Sequence, residues 1–72
     1  MEAFRVTIAS PPDRQRLVAE IFAGDTQVAE INQEAERPLL ELYPRPDGTP
    51  WNLDLVAFLE AVLTAKQRLL GA

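Results

Sequence analysis

The amino-acid pattern predicts an α+β domain: a four-stranded antiparallel β-meander with one C-terminal α-helix packed on one face of the sheet (ββββα). Three observations carry that expectation. Apolar and polar residues alternate with period two in four short runs before residue 44. The tetrapeptide Val-Ala-Glu-Ile stands at 18–21 and again at 28–31, ten positions apart, around the turn-like stretch Ala23-Gly24-Asp25-Thr26. That spacing reads as the two arms of a hairpin. From Asn52 the apolar period becomes helical.

The first strand is expected over residues 3–9, with Phe4, Val6 and Ile8 on one face and Arg5 and Thr7 on the other. Ser10-Pro11-Pro12-Asp13 stops it, because proline donates no ladder hydrogen bond and restricts the residue before it. Residues 13–16, Asp-Arg-Gln-Arg, read as a polar connection. The second strand is expected over 17–23 and the third over 26–33. If Glu20 and Glu30 turn away from the core, Leu17, Ala19 and Ile21 face inward on one strand, and Ala29 and Ile31 on the other. Val18, Phe22, Val28 and Asn32 then share the outer face with the acids. Residues that face each other across a hairpin share a side of the sheet, so the loop's parity matters. A three-residue Gly24-Asp25-Thr26 loop pairs Glu20 with Glu30 and Ile21 with Ala29. A two-residue turn would pair Ile21 with Val28 and send one glutamate into the core, where an unpaired carboxylate is costly. The three-residue loop is therefore expected; the shorter one would need a bulge.

Glu34-Ala35-Glu36-Arg37-Pro38 reads as a polar turn. Leu39–Tyr43 is the fourth strand, with Leu40 and Leu42 inward and Leu39, Glu41 and Tyr43 outward. Pro44-Arg45-Pro46-Asp47-Gly48-Thr49-Pro50 reads as a stiff connector, with Trp51 closing the core at the sheet edge. A recognition loop is the other use of such a segment. Asn52 is the expected N-cap, Asp54 an acid in the first turn, and Gly71 the stop. Leu55, Phe58, Leu59, Val62 and Leu69 form the main apolar stripe. Val56, Leu63 and Leu70 widen it and recur every seven residues, offering a homodimer seam. Lys66 lies inside this arc, where its stem can snorkel.

One domain spanning residues 1–72 is expected. A chain this short supports only a marginal core, and disulfides, a metal or self-association usually assist. There is no cysteine and no histidine, which removes disulfides, thiolate zinc sites and the commonest metal and proton-transfer side chain. Self-association is the aid that remains. Eleven acids against seven bases give a net charge of −4. That balance disfavours nucleic acid as a partner, and suits a basic protein partner or plain solubility. Met1-Glu2-Ala3-Phe4-Arg5 lacks the basic run and apolar core of a signal peptide. No stretch approaches the ~20 apolar residues that span a bilayer. No membrane association and a cytoplasmic location are expected.

The face away from the helix would carry Glu20, Glu30 and Glu41 on successive strands. Val18, Phe22, Val28, Leu39 and Tyr43 surround them, and Arg5 and Thr7 reach in from the first strand. Three readings compete. The face is simply solvated, its acids partly answered by Arg5. Or it is a binding surface with an acidic centre and aromatic anchors. Or its carboxylates hold a divalent cation, although a flat sheet encloses an ion poorly and no Asp-rich calcium loop is present. Signals for catalysis are weak: Ser10 has no evident base, the three glycines are isolated, and paired carboxylates would need a cleft. No enzyme activity, no cofactor and no metal site are expected.

The stretches Ile8-Ala9-Ser10-Pro11-Pro12-Asp13-Arg14, Val18-Ala19-Glu20-Ile21, Ala29-Glu30-Ile31-Asn32-Gln33-Glu34, Leu42-Tyr43-Pro44 and Trp51 are similar to a group of short, uncharacterised bacterial proteins. The resemblance implies a stand-alone bacterial domain and brings no activity or site residues with it.

The expected function is that of a small non-enzymatic protein-binding module of inhibitor, immunity or adaptor type. Its outer face would meet a basic partner surface, with Glu20, Glu30 and Glu41 supplying charge and Phe22, Val28 and Tyr43 supplying contact. Charge reversal at Glu30 is expected to cut association and leave folding nearly intact. The alternative is a structural or regulatory homodimer that associates through the helix or the sheet face.

Overall fold

The computed structural model describes residues 3–71. It contains β1 (Phe4–Ala9), β2 (Val18–Ala23), β3 (Thr26–Asn32), β4 (Leu39–Leu42) and α1 (Leu55–Leu70). The strands form one antiparallel sheet in the order β1-β2-β3-β4, with α1 packed against it. This is the expected ββββα architecture. Strand ends move by one residue: Leu17, Gln33 and Tyr43 fall just outside the ladder. The signal-peptide reading rested partly on Met1 and Glu2, which lie outside the described residues.

The β2–β3 hairpin departs from expectation in its turn and agrees in its register. Ala23 faces Thr26, so the turn is the two-residue Gly24-Asp25. Gly24 has φ 61°, the left-handed backbone that tight hairpin turns require and glycine adopts without penalty. Yet Glu20 faces Glu30 and Ile21 faces Ala29, as the three-residue loop would give. Both hold because β3 carries an extra residue. Phe22 faces Gln27 while Ile21 faces Ala29, which leaves Val28 as a bulge. The bulge restores the parity that keeps both carboxylates off the helix side.

The helix begins later than expected. Asp54, not Asn52, is the N-cap: its Oδ2 accepts a hydrogen bond from the Ala57 N–H at 2.8 Å. Gly71 closes the helix as expected, at φ 73°, donating its N–H to the Gln67 carbonyl at 2.8 Å. Arg68, in the last turn, donates to the Val6 carbonyl at 3.0 Å and ties α1 to β1.

The packing of α1 corrects the expected apolar stripe. Ala61 and Ala65 are the buried helix residues, and α1 rests chiefly on β1 and β2. The core joins them to Ala19, Ile21, Val28, Ala29 and Ile31, with Phe4, Val6, Ile8, Trp51, Leu53, Phe58, Val62 and Leu69 packed around. Phe4 meets Phe58 edge-on at 5.5 Å. Trp51 caps the sheet edge as expected, its Nε1–H donating to the Tyr43 carbonyl at 2.8 Å. Leu55 and Leu59, expected in the core stripe, are 69% and 52% exposed, and the inward-facing Leu40 and Leu42 are 46% and 63% exposed. Small alanines let the helix settle close over β1–β2. That placement turns its leucine edge outward and leaves the β4 side of the same sheet face bare. None of the ten leucines in the chain is buried.

Candidate functional site

The antiparallel register lines Thr7, Glu20, Glu30 and Glu41 up across all four strands, on the face away from α1. Neighbouring strands are only ~4.8 Å apart, so three carboxylates in a row need an answering charge. It comes from the β1–β2 connection. That segment turns at Pro11–Arg14, where the Arg14 N–H donates to the Pro11 carbonyl at 3.2 Å. Two further hydrogen bonds fasten it beside β3. The Gln33 side-chain amide donates to the Leu17 carbonyl at 3.1 Å, and the Gln15 N–H donates to Glu34 Oε1 at 3.3 Å. Arg14 is thereby aimed at the acids. Its Nη2 lies 2.8 Å from Glu30 Oε2 and 2.9 Å from Glu41 Oε1. Burial pulls the Arg14 pKa down, but Glu30, Glu41 and Asp13 together more than offset this, and the guanidinium is held charged more firmly than usual.

Tyr43 completes the network from just beyond β4. Its hydroxyl stands 3.3 Å from Glu30 Oε1 and 3.2 Å from Glu41 Oε1. One phenolic proton thus lies between two carboxylates. Burial, then the negative charge of Glu30 and hydrogen bonding to Glu41, push its pKa up to about 12.

The residues expected to meet a partner therefore divide. Register brings Glu20, Glu30 and Glu41 together, with Tyr43 bonded to the last two. Glu30 and Val28, expected at the surface, are 4% and 1% exposed. Val28 is drawn into the core by the bulge, and Glu30 is sealed beneath Arg14. Glu41 is exposed but paired, while Glu20 is half-buried. Phe22 lies under the Arg5 guanidinium, 4.5 Å from its ring centre. Arg5 therefore answers an aromatic ring, and Arg14 answers the acids. Arg14 was missed because the 13–16 segment read as a generic polar connection. The signal was available: facing carboxylates require a cation, and Arg14 and Arg16 sit on the chain that leads into β2. Glu30→Lys would set a second cation beside Arg14 at a nearly buried position, so a cost to folding is expected in place of near-intact folding.

No cluster of three or more acids among the described residues is arranged to hold a metal ion. No helix among them is long and apolar enough to cross a membrane. Beside Trp51, whose indole lies 5.3 Å below the Arg45 guanidinium, a cleft of about 550 Å³ opens between the Gly24 turn and Pro46. Asp47 shapes this connector. Hydrogen bonds from the Thr49 hydroxyl and N–H, at 2.7 and 3.0 Å, hold its carboxyl below the usual range. The arrangement suits the connector reading.

The other side of the molecule carries the larger unassigned surface. Leu40 and Leu42 from β4 and Leu55, Val56, Leu59 and Leu63 from α1 are 46–69% exposed. Singly exposed leucines are ordinary; this many on one side of a 72-residue chain are not. Comparison with protein-family models, curated proteins and solved structures finds no match for this chain.

Proposed function

We propose that the chain is a non-enzymatic protein-binding module whose recognition surface is the apolar side formed by α1 and β4. One observation carries this reading: all ten leucines lie outside the buried core, and six apolar side chains on that side are at least 46% exposed. Apolar patches of that size lie at the upper end of what monomeric proteins expose and are often functional. The acidic face supports a docking role less well. Arg14 already takes the position between Glu30 and Glu41 that a partner's arginine would occupy. Binding a basic partner there would first require displacing an internal ion pair.

The test is site-specific photo-crosslinking in living cells. A photoreactive side chain replaces Leu42 or Leu63 in one set of variants and exposed Asp25 or Glu36 in a control set. A discrete adduct, identified as a protein by mass spectrometry, is expected from the first set and not from the second. No adduct from Leu42 or Leu63, or equal adducts from both sets, would overturn the proposal.

A further inference from the structure

We infer that the occupant of this surface is a second copy of the same chain, seated across a twofold axis with the two helices side by side between two sheets. The inference rests on the binding surface proposed above and names its partner.

The argument starts from two deficits that fit each other. The helix rests on β1 and β2, and the core it closes reaches Ala29 and Ile31 on β3, so the uncovered part of that sheet face is the edge strand β4 with Leu40 and Leu42. The helix in turn has a second apolar side. At about 100° per residue, Leu59 and Leu63 point away from the buried Ala61, and Val56 and Leu55 flank them. The bare β4 edge needs an apolar cover, and the exposed helix stripe needs an apolar surface to rest on. Each copy of the chain supplies both. Under a twofold operation, α1 of one protomer covers Leu40 and Leu42 of its partner while the partner's α1 returns the contact, as a self-complementary interface requires.

Charge and size agree. The six apolar patch residues are uncharged, so no like-charged pair is forced at the centre of a twofold contact. The six side chains expose on the order of 600 Å², the upper end of what monomers carry. With a polar rim this approaches the ~800 Å² per partner of a standard interface. The fold also benefits. Four of the seven residues in its buried cluster are alanines, and a domain this small commonly relies on association for stability.

Sedimentation equilibrium of the purified full chain, from micromolar to millimolar concentration, tests the inference. A reversible monomer–dimer equilibrium is expected, with the dimer lost in Leu42→Asp and in Leu63→Asp while far-ultraviolet circular dichroism stays helical. Because folding and association are coupled if the monomer is marginal, the wild-type melting temperature is measured as well; it is expected to rise with protein concentration. A wild-type chain that stays monomeric and melts at one temperature across this range overturns the inference. So does a dimer that survives both substitutions. If the purified chain is monomeric but Leu42 and Leu63 still crosslink to a different protein in cells, the second-copy inference falls and the binding surface stands. If neither is seen, both fall.

Discussion

Arg14 settles how two of the three aligned carboxylates, Glu30 and Glu41, coexist on neighbouring strands. With its guanidinium 2.8 Å from Glu30 and 2.9 Å from Glu41, removing it strands a nearly buried carboxylate, the costly half of any broken ion pair. Arg14→Met is expected to lower the melting temperature markedly. Adding Glu30→Gln in the same chain is expected to restore part of the loss, giving a non-additive cycle by thermal denaturation. Tyr43 gives a second reading of the same network. It is the only tyrosine, so its ionisation can be followed by ultraviolet absorbance without ambiguity. The midpoint is expected near 12 in the folded chain, against about 10 for an unperturbed phenol. Because the folded state holds the phenolic proton more tightly than the unfolded state, this contribution to stability is complete below pH 10. It is lost as pH rises from about 10 to about 12. Tyr43→Phe removes that slope; an unchanged alkaline stability profile would refute the assignment. The outward direction of the glutamates was legible from alternation alone. Their pairing with Arg14 was not, because it joins residues 16 and 27 positions apart through a loop whose path no periodicity encodes.

At the scale of elements, strands were legible because alternation reports directly which side faces the core. The hairpin register was legible from the repeated tetrapeptide, but the means of reaching it was not. A Gly24-Asp25 turn plus a bulge at Val28 and a three-residue loop leave the same facing pairs from Ile21 and Ala29 onward. The helix and part of its stripe were legible: Phe58, Val62 and Leu69 pack against the core as expected, while Leu55 and Leu59 turn outward. Leucine outweighs alanine in any apolar tally, yet the tight contact with β1–β2 selects Ala61 and Ala65. Two substitutions separate these accounts. Ala65→Leu is expected to overpack the helix–sheet contact and cost ~1–3 kcal/mol in urea unfolding. A cost near zero would mean that Ala65 does not face the sheet. At the helix start, Asp54→Ala is expected to cost ~1 kcal/mol and Asn52→Ala within ~0.5 kcal/mol, since only Asp54 caps a free backbone N–H. The reverse order would restore Asn52 as the cap.

For the whole molecule, the decisive feature is an incomplete layer. One helix on a four-stranded sheet leaves the β4 edge of one face uncovered, and the same helix presents leucines with nothing of its own chain to cover. The opposite face, rich in acids, is closed by its own loop. Charge patterning in the sequence pointed to that acid face as the docking surface. Three-dimensional packing favours the apolar side instead, because Arg14 pairs with Glu30 and Glu41 and the alanine-centred helix exposes its leucines. The central claim is that Leu63 of one copy rests against Leu42 of another. An isotope-filtered NMR experiment on a mixture of labelled and unlabelled chains tests it most directly. The account expects intermolecular contacts between the Leu63 and Leu42 methyl groups. Their absence at concentrations where the chain is dimeric, or contacts running instead to Glu20 and Glu41, would contradict it.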